Sequence, residues 1–168
     1  MSYQSFEQVL QKCHTEEKEF WQVILEDDMA ERNVSEEDSM EHMRATWDAM
    51  LLAAATYEGN LNSSSGLVGG DGRRMEEYIH SAGIPSLCGE YVDTCIAGAL
   101  QMGESNACMK RIVAAPTAGA CGVLPAVLVP YFQKRCKDTD KILKAMYVAA
   151  GIGQIIAARS SISGAAVS

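Results

Sequence analysis

Two short segments hold side chains and backbone that could do chemistry: Ser63-Ser64-Ser65-Gly66-Leu67-Val68-Gly69-Gly70-Asp71-Gly72 and Ala115-Pro116-Thr117-Ala118-Gly119-Ala120-Cys121-Gly122. Each sets glycines, free amides and hydroxyls just ahead of a predicted helix, where unpaired N–H groups and the positive end of the helix dipole favour an anion. A small carboxylate fits that chemistry. The same glycines also suit helix capping and close helix crossing, and both readings stand at this point. Neither segment follows G-x-x-x-x-G-K-[ST] or G-x-G-x-x-G, so a nucleotide phosphate is not indicated.

Cys121 differs from the other five cysteines because it sits between glycines in a turn and not on an apolar helix face. A thiolate at a helix N-terminus is stabilised, which suits a metal ligand or a nucleophile. The others are Cys13, Cys88, Cys95, Cys108 and Cys136, and no C-x-x-C pair occurs among the six. A zinc finger or thioredoxin-type centre therefore has no support, and the set reads as reduced thiols. Cys88 and Cys95 are expected two turns apart on one helix, about 10 Å along its axis, beyond disulfide reach, as small core residues. His14, His42 and His80 read as surface residues.

Helices must position these segments. Ser5 with Gln8 forms a capping box ahead of Phe6, Val9, Leu10, Cys13, Phe20, Trp21, Ile24 and Leu25 at helical spacing, one long first helix. Ser35 with three acidic residues behind it starts a second, whose apolar face is Met40, Met43, Trp47, Met50, Leu51 and Ala54 and whose stop is Gly59. A short helix near 73–81 follows, ended by Gly83 and Pro85. Ser86 caps a fourth helix to about Ser105, with Leu87, Tyr91, Val92, Cys95, Ile96, Ala99 and Met102 on its apolar side. Arg111 to Ala115 reads as an extended piece or a buried connector. A helix begins near Leu124, with Pro125 tolerated in its first turn and Pro130 bending it. Asp138 or Asp140 caps the last, which carries Ile142, Leu143, Met146, Ala149, Ala150 and Gly153 and ends near Ser160. No strand alternation is sustained, so the expected fold is all-α, a compact bundle of about six helices with two Gly-rich loops, in one helical domain over 1–168.

Composition bounds the partners. The chain has 168 residues, 48% hydrophobic and 21% charged, at a net charge of −8. That is average globular usage, and the acidity argues against nucleic acid. Residues 1–58 carry 14 acidic and 4 basic side chains, whereas 59–168 are nearly neutral and rich in Gly and Ala, which points to chemistry in the second part. Ile112 to Gln133 is uncharged for 22 residues, but Pro116, Pro125 and Pro130 with Gly119 and Gly122 break a lipid-facing helix, so no membrane span is expected. The first nineteen residues hold six charges and no apolar core of a targeting signal, and the expected location is cytoplasmic.

The run Arg111 to Val127, RIVAAPTAGACGVLPAV, resembles the signature of the α chain of the iron–sulfur L-serine dehydratases, or L-serine ammonia-lyases. Ser65 to Asp71, Cys95 to Leu100 and Ser161 to Ala165 agree with that family in order and approximate spacing, so the resemblance covers most of 35–165. It implies a 4Fe–4S cluster held by cysteines with one open iron, no pyridoxal phosphate, and Cys121 as the first cluster ligand. Lys110, a candidate Schiff-base former, has no phosphate-binding glycine loop beside it. By the same analogy Ser65, Gly66, Thr117 and Ser163 would hold the substrate carboxylate or ammonium. Asp71 would orient a loop or move a proton, with a helix N-cap ahead of Arg73 as the alternative.

In the family the Ser-Gly-Ala segment runs on to a Gly-Cys pair, whereas here Ala165 is followed by Ala166, Val167 and Ser168. The resemblance thus implies an N-terminal portion of a catalytic α chain, with at least two cluster ligands absent. As it stands, such a chain is expected to fold as helices, to bind no iron, to be inactive on serine and to self-associate. A β chain is the expected partner, L-serine the expected substrate. Desulfidation of L-cysteine and a non-catalytic helical subunit are the alternatives.

Overall fold

The computed structural model describes residues 3–81 and 86–159, and among these the fold is all helical, with seven α-helices and no strand. The helices are α1 (Phe6–Glu16), α2 (Phe20–Arg32), α3 (Glu36–Ala55), α4 (Asp71–Ile79), α5 (Glu90–Ala107), α6 (Val123–Tyr131) and α7 (Thr139–Arg159). A 3₁₀ turn, Ala118–Ala120, precedes α6, and a π-helical turn, Phe132–Cys136, follows it. The chain divides into two compact units, 1–45 with 139–168, and 46–138, so the N-terminal half of α3 belongs to the first and its C-terminal half to the second.

The count is seven where about six were expected, because the long first helix is two. Its start is as read: the Gln8 N–H donates to Ser5 Oγ at 3.4 Å, and the Gln8 side chain accepts from the Gln4 N–H at 2.8 Å. The chain then breaks at Glu17, which adopts a left-handed conformation (φ 53°) while the Lys18 N–H closes on the Cys13 carbonyl. Glu19 and Gln22 form a second, reciprocal cap that starts α2. No glycine or proline marks this break, so periodicity runs straight across it.

In the first unit, Val9, Val23, Ile24, Leu25, Tyr147 and Ile155 form the core, with Met40 and Met43 of α3 packed on it. The apolar stripe of α7 is Ile142, Leu143, Met146, Tyr147, Gly151 and Ile155. It turns away from the expected Ala149, Ala150 and Gly153 because α2 presses against Gly151, where a Cβ would lie 2.6 Å from Ile24 Cδ1. By length and mean hydropathy (1.3) α7 could cross a bilayer, with 33% of that stretch buried here. The buried Ser39 hydroxyl lies 2.6 Å from Tyr147 Oη and donates to Asp28 Oδ2 at 2.6 Å.

In the second unit, α5 packs against both α4 and α6. Met102 is buried as expected, but most of the packing uses a face of α5 other than the expected one. Leu87 is 99% exposed, Val92 and Ile96 are exposed, and the buried positions are Asp93, Ala97, Met102, Glu104 and Ser105. Small residues explain the choice: Gly98 brings α5 close to Ala126 of α6, and Gly122 approaches the Ala99 carbonyl so that a Cβ there would sit 3.0 Å from it. The Ser86 hydroxyl accepts the Gly89 N–H at 2.8 Å, yet α5 begins only at Glu90. Cys88 therefore lies outside the helix and is exposed, which corrects its assignment to the core. Trp47 is buried edge-on against Phe132, centroids 5.6 Å apart. Gly83, Pro85 and Ser160 lie outside the described residues.

Candidate functional site

Both chemistry-bearing segments belong to the second unit. The first closes on itself. The Ser63 N–H donates to the Val68 carbonyl at 2.9 Å, the Val68 N–H returns to Ser63 Oγ at 3.1 Å, and the Gly66 N–H donates to the Ser63 carbonyl at 2.9 Å. Gly66 (φ 71°) and Gly70 (φ 82°) take left-handed conformations that a side chain would strain. Ser65 is exposed, with its Oγ 3.1 Å from Ser63 Oγ and accepting the Leu67 N–H at 3.4 Å.

The loop enters α4 through Gly70, which has no side chain to cap the helix. Asp71 does not cap it either, because it is the first helical residue, and its exposed carboxylate pairs with Arg74. The capping carboxylate comes from α5. Glu104, 2% exposed, accepts the Asp71 N–H at 2.5 Å and the Gly72 N–H at 3.1 Å through Oε1, and the Tyr57 hydroxyl at 2.5 Å through Oε2. Burial, then this bond, push the Tyr57 phenol well above its ordinary value. Gly72 makes the junction possible, since a Cβ there would fall 2.7 Å from Gln101 Cγ and 2.9 Å from Tyr57 Oη. Glu104 was missed from sequence because it sits on a helix face that periodicity assigned to solvent.

Beside this loop lies a cleft of about 360 Å³ lined by Gly59, Asn60, Leu61, Asn62, Gly69, Gly70, Arg73 and Arg74. Two guanidiniums, two side-chain amides and glycine backbone are groups that take a carboxylate. A second cavity of similar size, with Glu76, His80, Glu90, Thr94, Gln101 and Lys134 among its walls, contains none of the candidate site residues Ser65, Gly66, Asp71, Thr117 and Cys121.

The second segment makes the 3₁₀ turn that leads into α6. Thr117 is half-buried at its start, and the Asn106 side chain of α5 donates to the Ala118 carbonyl at 3.1 Å. Cys121 is 2% exposed among Ala53, Met102, Ala54 and Ile112, with its S–H directed at the Met102 carbonyl at 3.7 Å. Burial pushes its thiol above the ordinary value of 9.0, the opposite of the helix-terminus effect expected from sequence. Desolvation outweighs the backbone hydrogen bond that would lower it. Among the described residues no three His, Cys, Asp or Glu side chains converge as a metal site. The structure thus brings Ser65, Gly66 and Asp71 to one loop and Thr117 and Cys121 to another, both touching α5. Ser163 lies outside the described residues.

Comparison with known proteins agrees with the motifs. Residues 15–168 match the family described as serine dehydratase alpha chain. The chain is 30% identical over 162 residues to the L-serine dehydratase alpha chain of Peptoniphilus asaccharolyticus, covering 94% of this chain and 54% of that protein. It is 31% identical over 144 residues to the probable L-serine dehydratase alpha chain of Bacillus subtilis (strain 168), covering 86% and 47%. A 70-residue stretch is 46% identical to an L-serine dehydratase of Haemophilus influenzae, 41% of this chain and 15% of that protein. The chain thus spans about half the length of the curated alpha chains it matches. No solved structure matches it. With the family match running from Thr15 in α1 through both loops to the last residue, the chain belongs to the serine dehydratase alpha chain family.

Proposed function

We propose that this chain works as part of an L-serine dehydratase, which converts L-serine to pyruvate and ammonia. The observation that carries this reading is the family match over residues 15–168, which contains both loops. In the reaction the Cα proton and the β-hydroxyl leave as water. The resulting aminoacrylate becomes an imine that water hydrolyses to pyruvate and ammonia. In our reading this chain's part is binding. The Arg73 and Arg74 cleft with the Ser65–Gly66 turn takes the substrate carboxylate, and Thr117 supports the ammonium end.

A 4Fe–4S cluster is the cofactor the family resemblance implies. Among the described residues Cys121 alone stands where a ligand is expected, its thiol is buried and held protonated, and no partner ligands gather around it. These residues do not by themselves fit a cluster. A β chain as partner, self-association of this chain and a cytoplasmic location belong to the same proposal.

The test is pyruvate formation by the full-length enzyme, given L-serine and L-cysteine in separate assays. Serine turnover well above cysteine turnover is expected. Preference for cysteine would favour sulfide expulsion instead, and turnover of neither would reject the catalytic reading. Purification of an active full-length α chain with no second polypeptide would remove the β chain.

A further inference from the structure

The last turn and a half of α5 touches both loops, with a different residue on each. Glu104 holds the first loop at the Asp71 and Gly72 amides, Asn106 holds the second at the Ala118 carbonyl, and the Met102 carbonyl receives the Cys121 thiol. The first loop's internal bonds run from Ser63 to Val68, which sets its shape but not where it stands. Its seat is decided at its ends, where Gly69 packs on the Leu61 carbonyl and where α4 begins. At that second end the local chain supplies no cap, since Gly70 lacks a side chain and Asp71 is turned to Arg74. A residue 33 positions away does so instead.

We propose that Glu104 and Asn106 are positioning residues, Glu104 for the Ser63–Gly70 loop and Asn106 for the Thr117–Cys121 loop, so that one turn of α5 sets the spacing of the two halves of the site. The chemistry of the contacts supports this division. All three partners of Glu104 are donors, which suits a carboxylate, an acceptor-only group, and its 2% exposure keeps water from replacing it. Asn106 offers the opposite, an N–H donor to the Ala118 carbonyl, which also accepts the Cys121 N–H that closes the 3₁₀ turn. Only in treating both loops as substrate loops does the proposal rest on the dehydratase reading.

Amide hydrogen exchange on the 168-residue chain tests the positioning without substrate. Glu104→Ala is expected to speed exchange across 61–75 by about 10-fold or more, as loss of charge-assisted bonds opens a local unit. Exchange in α1 and α2 should stay unchanged. Glu104→Gln should recover most of the protection, because its amide oxygen still accepts both N–H bonds while its NH₂ meets the Tyr57 oxygen. Asn106→Ala should speed exchange across 115–125 and spare 61–75. Should Glu104→Ala not fold, Tyr57→Phe replaces it, with a smaller rise expected in 61–75. Exchange in 61–75 that stays at the wild-type rate in the folded variant, or that rises equally in α1 and α2, overturns the proposal.

In the full-length enzyme the same variants should raise the serine KM by about 10-fold with a smaller change in kcat, and Glu104→Gln should restore it. Unchanged KM alongside loosened loops overturns the substrate-positioning role. A wild-type enzyme inactive on serine rejects the dehydratase reading and leaves the exchange result to decide this one.

Discussion

Cys121 lies in a setting that its neighbours in sequence do not suggest. Cys121 sits in a glycine turn two residues ahead of α6, the usual setting of an activated thiolate, yet burial leaves it protonated among Ala53, Met102 and Ile112. At pH 7.5 iodoacetamide should therefore modify exposed Cys88 first and Cys121 last, with rates about 100-fold apart, read by mass spectrometry of quenched digests. Cys121 labelled as fast as Cys88 would contradict the burial. Gly72 is a second residue-scale case. Alanine is favoured over glycine inside a helix by about 0.5–1 kcal/mol. At this position the new Cβ meets Tyr57 Oη at 2.9 Å and the backbone of Gln101 at 3.2 Å, and overpacking costs about 1–3 kcal/mol. Gly72→Ala should therefore lower stability in urea denaturation. A variant as stable as the parent would show that α4 can retreat from α5.

The helices were largely legible from sequence, and the errors lie where capping and packing overrode periodicity. The Ser5 and Ser35 caps stand where their residue types place them, with Ser35 Oγ accepting the Asp38 N–H at 3.1 Å. The α1–α2 break was invisible, since Glu17 takes a left-handed conformation that glycine would adopt without strain. Glu17→Gly should accordingly stabilise the chain by about 0.5–1 kcal/mol, measured as a raised urea midpoint at unchanged slope. A lowered midpoint would mean that the Glu17 side chain contributes something the geometry does not reveal. On α5, hydrophobicity pointed to Val92 and Ile96, and the fold buried Ala97, Asp93 and Glu104 instead. Close approach through small residues decided the face.

Across the molecule, four acidic groups are held above their ordinary values chiefly by burial: Cys121, Tyr57, Tyr91 and Tyr147. Each keeps its proton to higher pH when folded than when unfolded. Their contribution is therefore fully present below the unfolded values, 9.0 for the thiol and 10.0 for the phenols, and is lost as pH rises above them. Thermal melts should show a level Tm from neutral pH to about 9 and a steady fall above it, with the fall reduced at its onset in Cys121→Ala relative to that variant's own neutral value. A Tm independent of pH up to 11 would contradict the burial of all four. What the sequence determined by itself was local: the all-α class, most helix starts, and the Pro116–Pro125 motif that pointed to the family. These depend on residues within a few positions of one another, where capping and turn chemistry act. The tertiary structure alone decided that Cys121 is buried, that Asp71 is not the cap of α4, and that one turn of α5 reaches both loops. Each of those depends on groups brought together from distant positions, where desolvation and close packing outweigh local preference.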